Sequence, residues 1–340
     1  MPDIRIIVAG ANPVMRARLA RAIRDGSGLI LIAETPDLPE AYTAAETLEP
    51  EVILIARELT VLAEFALMRS LFAILNIRWI TVDHRGLGVD FRLPGPPAAN
   101  EIGLLPLDSA LPVLEIRALI LVAAQTPMPA AARPPRPPLR AVPMRPGKLI
   151  LIGASTGGVD ALLEVLSALP DDCPPVAVVQ HTGQGFSDSL IRLLARRCRI
   201  EVRPALANLE LHAGMAAIAA GCPGHMRLSP GPPPRRIRLD AGPPVSGHMP
   251  SVDALFASGV PMARQIVAVL LTGMGRDGAE GLLALRRAGA MTIGQDAPSS
   301  VVYGMPRAAW EIGAVQNQVR LEDIAAAMLR ACAEESQASP

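Results

Sequence analysis

The sequence predicts an α/β protein made of two doubly wound parallel-sheet domains. Its 340 residues are about twice the length of a typical domain, and a proline-rich segment near the middle divides them. On both sides of that segment, short apolar runs alternate with stretches of helical spacing, which is the pattern of parallel strands joined by helices. Half of the residues are hydrophobic and 19% are charged, which excludes a disordered chain because ample apolar surface can be buried.

The first predicted domain, residues 1–124, contains repeated β-α units. Its strands are short apolar runs bounded by turn residues, and they are Ile4–Val8, Leu29–Ala33, Val52–Ile55, Trp79–Val82 and Ile102–Leu105. Its helices carry apolar residues at spacings of three and four, and they are Val14–Arg24, Leu38–Leu48, Val61–Leu75 and Leu111–Val122. In an open sheet of this kind, ligand sites are expected at the carboxyl ends of the strands.

Residues 125–147 form the predicted linker. Their eight prolines exclude a helix or a central strand, because proline lacks an amide proton and has a fixed φ. Four arginines and no acidic residue make the segment locally basic within a chain of zero net charge. The composition favours an extended spacer over a proline-rich ligand for an SH3-type module.

The second predicted domain, residues 148–335, continues the alternation of strands and helices. Its strand candidates are Leu149–Ile152, Val176–Val179, Ala216–Ala219, Arg236–Leu239, Ile266–Leu271, Met291–Gly294 and Ala314–Val319. Its predicted helices are Gly157–Leu169, Gly185–Arg197, Val252–Val260, Ala279–Ala288, Pro306–Ile312 and Leu321–Cys332. The glycines and prolines between residues 205 and 244 predict β-hairpins added to a parallel sheet.

Composition also excludes several classes of function. The 32 basic residues equal the 32 acidic ones and only 3% are aromatic, so we expect no nucleic-acid partner. No uncharged apolar stretch reaches the roughly 18 residues of a membrane span, and the N-terminus lacks the apolar core of a signal peptide. We expect a cytoplasmic protein without membrane insertion.

The cysteines lack zinc spacing, so we expect free thiols, no metal and no cofactor; they are Cys173, Cys198, Cys222 and Cys332.

A candidate nucleophile follows the first strand of the second domain. Gly153, Ser155 and Gly157 fit the pattern G-x-S-x-G, whose glycines permit a sharp turn that presents the serine at the sheet edge. Free N–H groups of the next helical turn could bind developing negative charge. The segment lacks the lysine of a phosphate-binding loop and the middle glycine of a dinucleotide loop. A strand-helix turn without chemistry stays an alternative for the motif alone.

Two further polar residues follow predicted strands and complete a candidate triad. His181 ends the strand PVAVVQH, and Asp277 lies in the glycine-rich turn after IVAVLL. Together with Ser155 they supply a hydroxyl, an imidazole and a carboxylate at one rim of the sheet. Asp277 could instead only cap the helix that follows it. We prefer His181 to His248 as the base, because no strong strand precedes His248.

Several segments of the second half together resemble a known enzyme family. GASTGG (153–158), VVQH (178–181), IAAGCPGHM (218–226), HMPSVDALF (248–256), LLTGMGRDGAEGL (270–282), IGQD (293–296) and YGMP (303–306) match, in order, the catalytic domain of the chemotaxis protein-glutamate methylesterase family, CheB. The resemblance covers nearly all of residues 148–330 and implies a Rossmann-like catalytic domain. It places the family's catalytic residues on Ser155, His181 and Asp277, and positions that line its active site on Thr156 and Met274. The chain departs from the family just after His181. Where the family usually has methionine and then prolines, this chain has Thr182, Gly183 and Gln184.

The resemblance implies a serine-type carboxylic ester hydrolase that acts through an acyl-enzyme. Its expected substrates are glutamate methyl esters on methyl-accepting chemoreceptors, with glutamine deamidation as a candidate second activity. A chemosensory kinase or another signalling protein is a further candidate partner. The alternative from a different class is a non-catalytic scaffold or binding protein of a chemosensory array.

The first half resembles a response-regulator receiver domain in IRIIVAGANPVMRARL (4–19) and PEVILIARELT (50–60). Receiver domains bind magnesium through an acidic pair after the first strand and accept phosphate on an aspartate after the third. Here those positions hold Gly10, Ala11 and Ala56, and this half contains no lysine. We therefore predict a degenerate receiver-like domain without a phosphoacceptor, so that phosphorylation of this domain does not regulate the enzyme.

Overall fold

The computed structural model describes residues 3–62, 65, 68, 69, 72, 77–83, 103–125, 139, 144–182, 187–231 and 234–333, with only the backbone described for 103–106. The chain divides into two compact units, residues 1–134 and 135–340. Each unit contains a parallel sheet with helices between its strands. The predicted α/β fold class is therefore confirmed.

The first unit is built on a five-stranded parallel sheet with the strand order β2-β1-β3-β4-β5. This order is that of flavodoxin-like doubly wound sheets. The strands are β1 (Ile4–Ala9), β2 (Leu29–Thr35), β3 (Val52–Ala56), β4 (Arg78–Asp83) and β5 (Gly103–Asp108). The predicted strands all occur, and their boundaries move by at most three residues.

Four helices of the first unit lie within the described residues. They are α1 (Pro13–Arg24), α2 (Leu38–Leu48), α3 (Arg57–Thr60) and α4 (Val113–Gln125). Asn12 begins α1, because its Oδ1 accepts hydrogen bonds from the N–H groups of Val14 and Met15. The short α3 was not predicted. The predicted helix at 61–75 lies largely outside the described residues.

A buried arginine joins α4 to the end of α1. The Arg117 guanidinium donates to the carbonyl oxygens of Ala22 and Ile23 at 3.1 and 2.9 Å, and to that of Ser27 at 2.5 Å. The last carbonyls of a helix have no partner within the helix. Arg117 supplies that partner from another element, so it fixes α4 against the C-terminus of α1.

The second unit is built on a seven-stranded parallel sheet with the order β15-β14-β13-β6-β7-β10-β8. Its strands are β6 (Leu149–Ala154), β7 (Val176–Gln180), β8 (Glu201–Pro204), β10 (Met215–Ala220), β13 (Ile266–Leu270), β14 (Met291–Gln295) and β15 (Asn317–Val319). A separate antiparallel sheet joins β9 (Glu210–Leu211), β11 (His225–Leu228) and β12 (Arg235–Asp240) in the order β11-β12-β9. The predicted addition of antiparallel strands near 205–244 is thus present.

Three strands of the second unit were not predicted, and one predicted strand is shorter than expected. β8, β9 and β11 are short and rich in charged residues or proline, so they lack the apolar run by which a buried strand is recognised. The predicted strand at 314–319 begins only at Asn317. The N–H of Ala314 instead closes the end of the preceding helix by donating to Ala309 O. The carbonyl of Ala314 accepts a hydrogen bond from Thr292 Oγ1.

Six α-helices of the second unit lie within the described residues, all close to their predicted positions. They are α5 (Gly158–Ser167), α6 (Ser187–Arg197), α7 (Val252–Gly259), α8 (Ala279–Arg287), α9 (Met305–Glu311) and α10 (Leu321–Cys332). A 3₁₀ helix, Val260–Gln265, connects α7 to β13. The Lys148 ammonium, at the start of β6, donates to the carbonyl of Arg264 in that connection at 3.1 Å.

The central strands of the second sheet determine where a site can form. The chain leaves β6 in one direction through β7 and returns to β13 on the other side of β6. A reversal of this kind creates a crevice beyond the carboxyl ends of the strands, where open α/β sheets bind their ligands. The segments that follow β6, β7 and β13 carry Ser155, His181 and Asp277.

The described part of the predicted linker packs on the second unit. The N–H of Leu139 donates to Ala168 O at 3.1 Å, and that of Arg145 donates to Cys332 O at 2.9 Å. Met144 forms an isolated bridge with Ala333. The other residues of 125–147, apart from Gln125, Pro146 and Gly147, lie outside the described residues. The four cysteines are free thiols, and no helix in the described residues is long and apolar enough to span a bilayer.

We predict that Arg117→Met lowers the free energy of unfolding of the first unit by about 2–3 kcal/mol, because three carbonyls lose a buried charged donor. The chain has two tryptophans, and Trp79 belongs to the first unit. Urea titration in a Trp310→Phe background, followed by Trp79 fluorescence, measures that unit alone. The exposed Arg21 of α1 provides the matched control, Arg21→Met, with an expected change below about 0.5 kcal/mol. Equal effects of the two substitutions would contradict the assigned role of Arg117.

Candidate active site

Ser155 lies in a sharp turn between β6 and α5. Its N–H donates to Thr272 O at 3.0 Å, and its own carbonyl accepts from Gly158 N at 2.8 Å. Gly157 begins α5 with φ of 78°, and a Cβ there would lie 2.5 Å from Val301 Cβ. Only glycine therefore fits this position, as the G-x-S-x-G pattern requires. The turn leaves Ser155 partly exposed at the carboxyl edge of the sheet.

Two buried polar side chains hold this turn, and neither was predicted from the sequence. Thr272 Oγ1 donates to Thr156 O at 2.9 Å and accepts from Val302 N at 2.9 Å. Gln180 Nε2 donates to the carbonyls of Ser155 and His181, at 2.9 and 2.8 Å. Gln180 thus joins the segment after β6 to the segment after β7. The one sequence signal for Gln180 was its place in VVQH at the end of a strand, and that motif was interpreted only for its histidine.

His181 lies beside the serine turn and is hydrogen-bonded to Asp277. Its backbone N–H donates to Ala154 O at 3.0 Å, which fixes it next to the end of β6. Its Nε2 is 2.8 Å from Asp277 Oδ2, and its side chain is only 9% exposed. Nδ1 is buried and has no partner within the described residues. Because a carboxylate accepts at Nε2, the proton of the neutral ring belongs there and Nδ1 keeps its lone pair.

Asp277 is fully buried and accepts hydrogen bonds from four donors. Besides His181, Val252 N donates to Oδ2 at 2.8 Å, while Asp253 N and Ser251 Oγ donate to Oδ1 at 3.0 and 2.8 Å. Three of the donors belong to the first turn of α7, where a negative charge is favoured. Burial opposes ionisation, but these hydrogen bonds outweigh it and lower the pKa of Asp277.

The alternative role considered for Asp277, capping the helix that follows it, does not occur. That helix, α8, begins after Gly278, and no side chain caps it. The carboxylate instead binds the start of α7, about 25 residues earlier in the chain. Asp277 therefore acts as an acceptor for a distant helix and for His181.

A second carboxylate, that of Asp253 in α7, lies close to Asp277. Asp253 accepts from Ser246 Oγ at 2.7 Å and from Gly281 N at 2.8 Å. Burial and the neighbouring charge of Asp277 raise the pKa of Asp253. Within the described residues, no group of three or more histidine, cysteine or acidic side chains is placed to hold a metal ion.

His248 is stacked on His181. The centroids of the two imidazole rings are 3.8 Å apart and their planes differ by 7°. Burial and the neighbouring His181 lower the pKa of His248, although Asp277 acts in the opposite direction. The two histidines weighed in the sequence analysis are thus in direct contact, and of the two only His181 forms the bond to Asp277.

The positions expected to line the site lie around Ser155. A Cβ at Gly273 would be 2.7 Å from Ser155 Cβ, so the segment that carries Met274 runs directly beside the serine. The Met274 side chain is 65% exposed. Thr156 follows Ser155 and is partly exposed. Gly183 and Gln184, where the chain also departs from the resembling family, lie outside the described residues.

Comparison with known proteins identifies the family of this chain. The model of the family described as CheB methylesterase matches residues 150–328. The chain belongs to the CheB methylesterase family. It is 35% identical to the protein-glutamate methylesterase/protein-glutamine glutaminase 1 of Caulobacter vibrioides, over 97% of this chain and 98% of that one.

Two further comparisons each cover about half of this CheB-family chain. The protein-glutamate methylesterase/protein-glutamine glutaminase of Gluconobacter oxydans is 49% identical over 189 residues, which cover 55% of this chain and 54% of that one. The crystal structure of the Thermotoga maritima CheB methylesterase catalytic domain aligns with a TM-score of 0.53 at 30% identity, covering 55% of this chain and 99% of that one. The expected membership in a family of ester hydrolases is confirmed.

We predict that Asp253→Asn stabilises the second unit at neutral pH. Asparagine can keep both hydrogen bonds, accepting from Gly281 N and donating to Ser246 Oγ, while it removes a buried charge beside Asp277. The folded-state pKa of Asp253 lies above the unfolded value, so the wild type loses stability as pH rises through the folded-state pKa. The advantage of the variant therefore grows with pH and vanishes in acid, where the carboxyl is protonated in both states.

Urea unfolding at several pH values, followed by Trp310 fluorescence in a Trp79→Phe background, measures this difference. Asp171→Asn, which changes an exposed aspartate of the same unit, is the control and should show no such trend. A stability difference for Asp253→Asn that stays constant with pH would contradict the prediction.

Proposed function

We propose that this CheB-family enzyme hydrolyses glutamate methyl esters on chemoreceptors, with Ser155 as nucleophile, His181 as base and Asp277 as its partner. The names of its relatives supply the substrate class. The assignment of residues rests on the hydrogen bonding of the His181 imidazole. Asp277 binds its Nε2, and the free, buried Nδ1 lies on the segment that adjoins the serine turn.

In the first half of the proposed reaction, His181 Nδ1 removes the proton of the Ser155 hydroxyl as Oγ attacks the ester carbonyl. The imidazolium then has N–H groups at both nitrogens, and its charge is balanced by Asp277 at 2.8 Å from Nε2. As the tetrahedral intermediate collapses, His181 returns the proton to the methoxy oxygen and methanol leaves. The product of this half is a glutamyl ester on Ser155.

In the second half, water attacks the acyl-enzyme. His181 Nδ1 takes a proton from the water, and the ester bond to Ser155 Oγ breaks as that oxygen regains a proton. The products are free Ser155 and a glutamate carboxylic acid, which loses its proton to the solvent. Because Nε2 stays bound to Asp277 throughout, we assign all proton transfers to Nδ1.

The N-terminus of α5 is the proposed oxyanion site. The N–H groups of Thr156 and Gly157 directly follow Ser155, and they have no acceptor within the described residues. Unpaired N–H groups at a helix start, together with the helix dipole, stabilise the oxyanion of a tetrahedral intermediate. Met274 directly follows Gly273, which adjoins the serine, and it is proposed to line the substrate position.

Glutamine deamidation is the second candidate activity of the same site. The relatives carry protein-glutamine glutaminase in their names, which favours this assignment. The steps are the same, except that His181 protonates a departing amine and ammonia leaves in place of methanol. A cytoplasmic location belongs to this proposal, with chemoreceptors as partners and a chemosensory kinase or other signalling protein as a further partner.

We also propose that phosphorylation of the first unit does not regulate the enzyme. At the carboxyl edge of its sheet, Ala56 is fully buried, and a Cβ on Gly10 would lie 2.8 Å from Ala56 Cβ. The Met15 thioether also packs against Gly10. The next residue, Arg57, is held by a two-point ion pair with Asp83 at 2.5 and 2.7 Å. Apolar packing and an internal ion pair thus occupy the edge where magnesium and phosphate would be needed.

We predict that Ser155→Ala abolishes methanol release from a methylated chemoreceptor, a loss of at least about 10³-fold, while the fold is kept.

Asp277→Asn should slow turnover by about 10⁴-fold, because an amide at this position fixes the wrong tautomer of His181. Methanol released from purified full-length protein and methylated receptor is measured by gas chromatography. Ammonia release from a receptor carrying glutamine tests the second activity in the same series.

Ser167→Ala removes a hydroxyl at the far end of α5 and should keep the wild-type rate. Methanol release by Ser155→Ala at the wild-type rate would refute the nucleophile. No release by the wild type, with receptor binding intact, would instead support the non-catalytic scaffold.

We predict that acetyl phosphate leaves the esterase rate of the full-length protein unchanged and adds no phosphoryl group, as read by intact-mass spectrometry. Ala56→Asp alone should also stay unmodified, because Gly10 and Ala11 provide no ligand for magnesium. A receiver domain with the complete acidic site, treated in parallel, is the positive control. Phosphate incorporation into the wild type, or stimulation by acetyl phosphate, would refute this part of the proposal.

A further inference from the structure

We propose that His248 is a positioning residue, which holds the imidazole plane of His181 and stays uncharged while His181 carries the proton. This inference rests on the proposed function, because it assigns His181 as the base. The observation behind it is the parallel contact between the two rings, with centroids 3.8 Å apart and planes inclined by 7°.

The stack supplies a restraint that the hydrogen bond to Asp277 lacks. A single bond at Nε2 fixes the direction of one ring atom, but it leaves the ring free to rotate about the line from Nε2 to Oδ2. Such a rotation would change the direction of Nδ1, the atom assigned as the base. A flat ring in face-to-face contact opposes it, because tilting the imidazole would drive its edge into the neighbouring ring.

His248 is itself held in place by a tight turn. The backbones of Val245 and His248 exchange two hydrogen bonds of 3.0 Å. Between them, Ser246 Oγ donates to Asp253 Oδ2 at 2.7 Å. Asp253 lies in the first turn of α7, and its N–H binds Asp277. The same helix start therefore positions both the carboxylate at the edge of the His181 ring and the turn that places His248 on its face.

The charge of His248 decides whether this contact favours catalysis. His181 becomes positively charged when it takes the serine proton, and a second cation stacked on it would oppose that step. Among the described residues, His181 on the loop after β7 and Asp277 after β13 act on the charge of His248, and Asp253 of α7 is bonded to its turn through Ser246. The buried imidazole of His225 binds Pro243 O before this turn and Ser251 N after it. Burial and His181 lower the pKa of His248 and Asp277 acts in the opposite direction, so the net shift favours the uncharged ring.

The kinetic test compares His248→Ala with His248→Phe in the full-length enzyme, using methanol release from methylated receptor. His248→Ala should lower kcat about 10- to 100-fold with little change in KM, because Nδ1 is no longer held in place. Phenylalanine keeps a flat ring without an ionisable nitrogen, so His248→Phe should recover kcat to within about threefold of wild type. His212→Ala, which removes an exposed histidine, is the matched control and should leave the kinetics unchanged.

Two results would overturn the proposal. A wild-type kcat in His248→Ala would show that the stack has no effect on the base. A His248→Phe enzyme as inactive as Ser155→Ala would show that the imidazole of His248 takes part in proton transfer itself. If the wild type released no methanol, the proposed function would fail, and the following measurement would still test the contact.

The second measurement is the protonation of His248, followed by NMR in protein with isotope-labelled histidine. The midpoint of its titration should lie below the usual 6.5 and should rise in His181→Gln, because the imidazole that lowers the pKa of His248 is removed. The five histidines of the chain make assignment by single substitutions practicable. A midpoint at or above 6.5, unchanged in His181→Gln, would refute the uncharged stack. This readout needs no turnover, so it separates the role of His248 from the identity of the substrate.

Discussion

The architecture of the site depends on one buried carboxylate. An isolated charge as deeply buried as Asp277 would cost several kcal/mol in lost hydration, and four hydrogen-bond donors offset that cost. Three of these donors are the beginning of α7, so the position of that helix is tied to the charge. The fourth is His181, whose tautomer is thereby set. Removing the carboxylate would leave a helix start, a hydroxyl and an imidazole without their common acceptor.

Features of the site that depend on neighbouring residues in the chain could be predicted from the sequence, whereas contacts between distant residues could not. Apolar runs locate β6, β7 and β13, and the rule for open sheets brings the residues after them to one crevice, so Ser155, His181 and Asp277 were predicted as candidates for a site there. The binding of Asp277 to α7 was not, because it joins residues about 25 positions apart that only the packed fold brings together. Gln180 and Thr272 were missed for a related reason. A polar residue at the end of an apolar strand shows no periodicity, and its partners are backbone carbonyls, which every residue has.

The two units show how far a fold and its chemistry can be separated. Both are doubly wound parallel sheets, and in both the loops that leave the strands lie at the carboxyl edge, where a site is expected. In the second unit that edge carries a hydroxyl, two imidazoles and a desolvated charge. In the first, Gly10 and Met15 pack around Ala56, and Arg57 is paired with Asp83. The strands of the first unit were predictable because burial selects apolar runs whether or not a site is present.

The position of Lys148 has a practical consequence for attaching this protein to a surface. It is the only lysine of the chain, and it precedes β6, whereas Ser155 follows the same strand. A six-residue strand separates the two by about 20 Å. Amine-directed coupling would therefore have a single side-chain target on the second unit, at the amino edge of the sheet. If the protein were attached to a surface through Lys148, the opposite edge of this sheet, which carries the serine, would face away from the point of attachment.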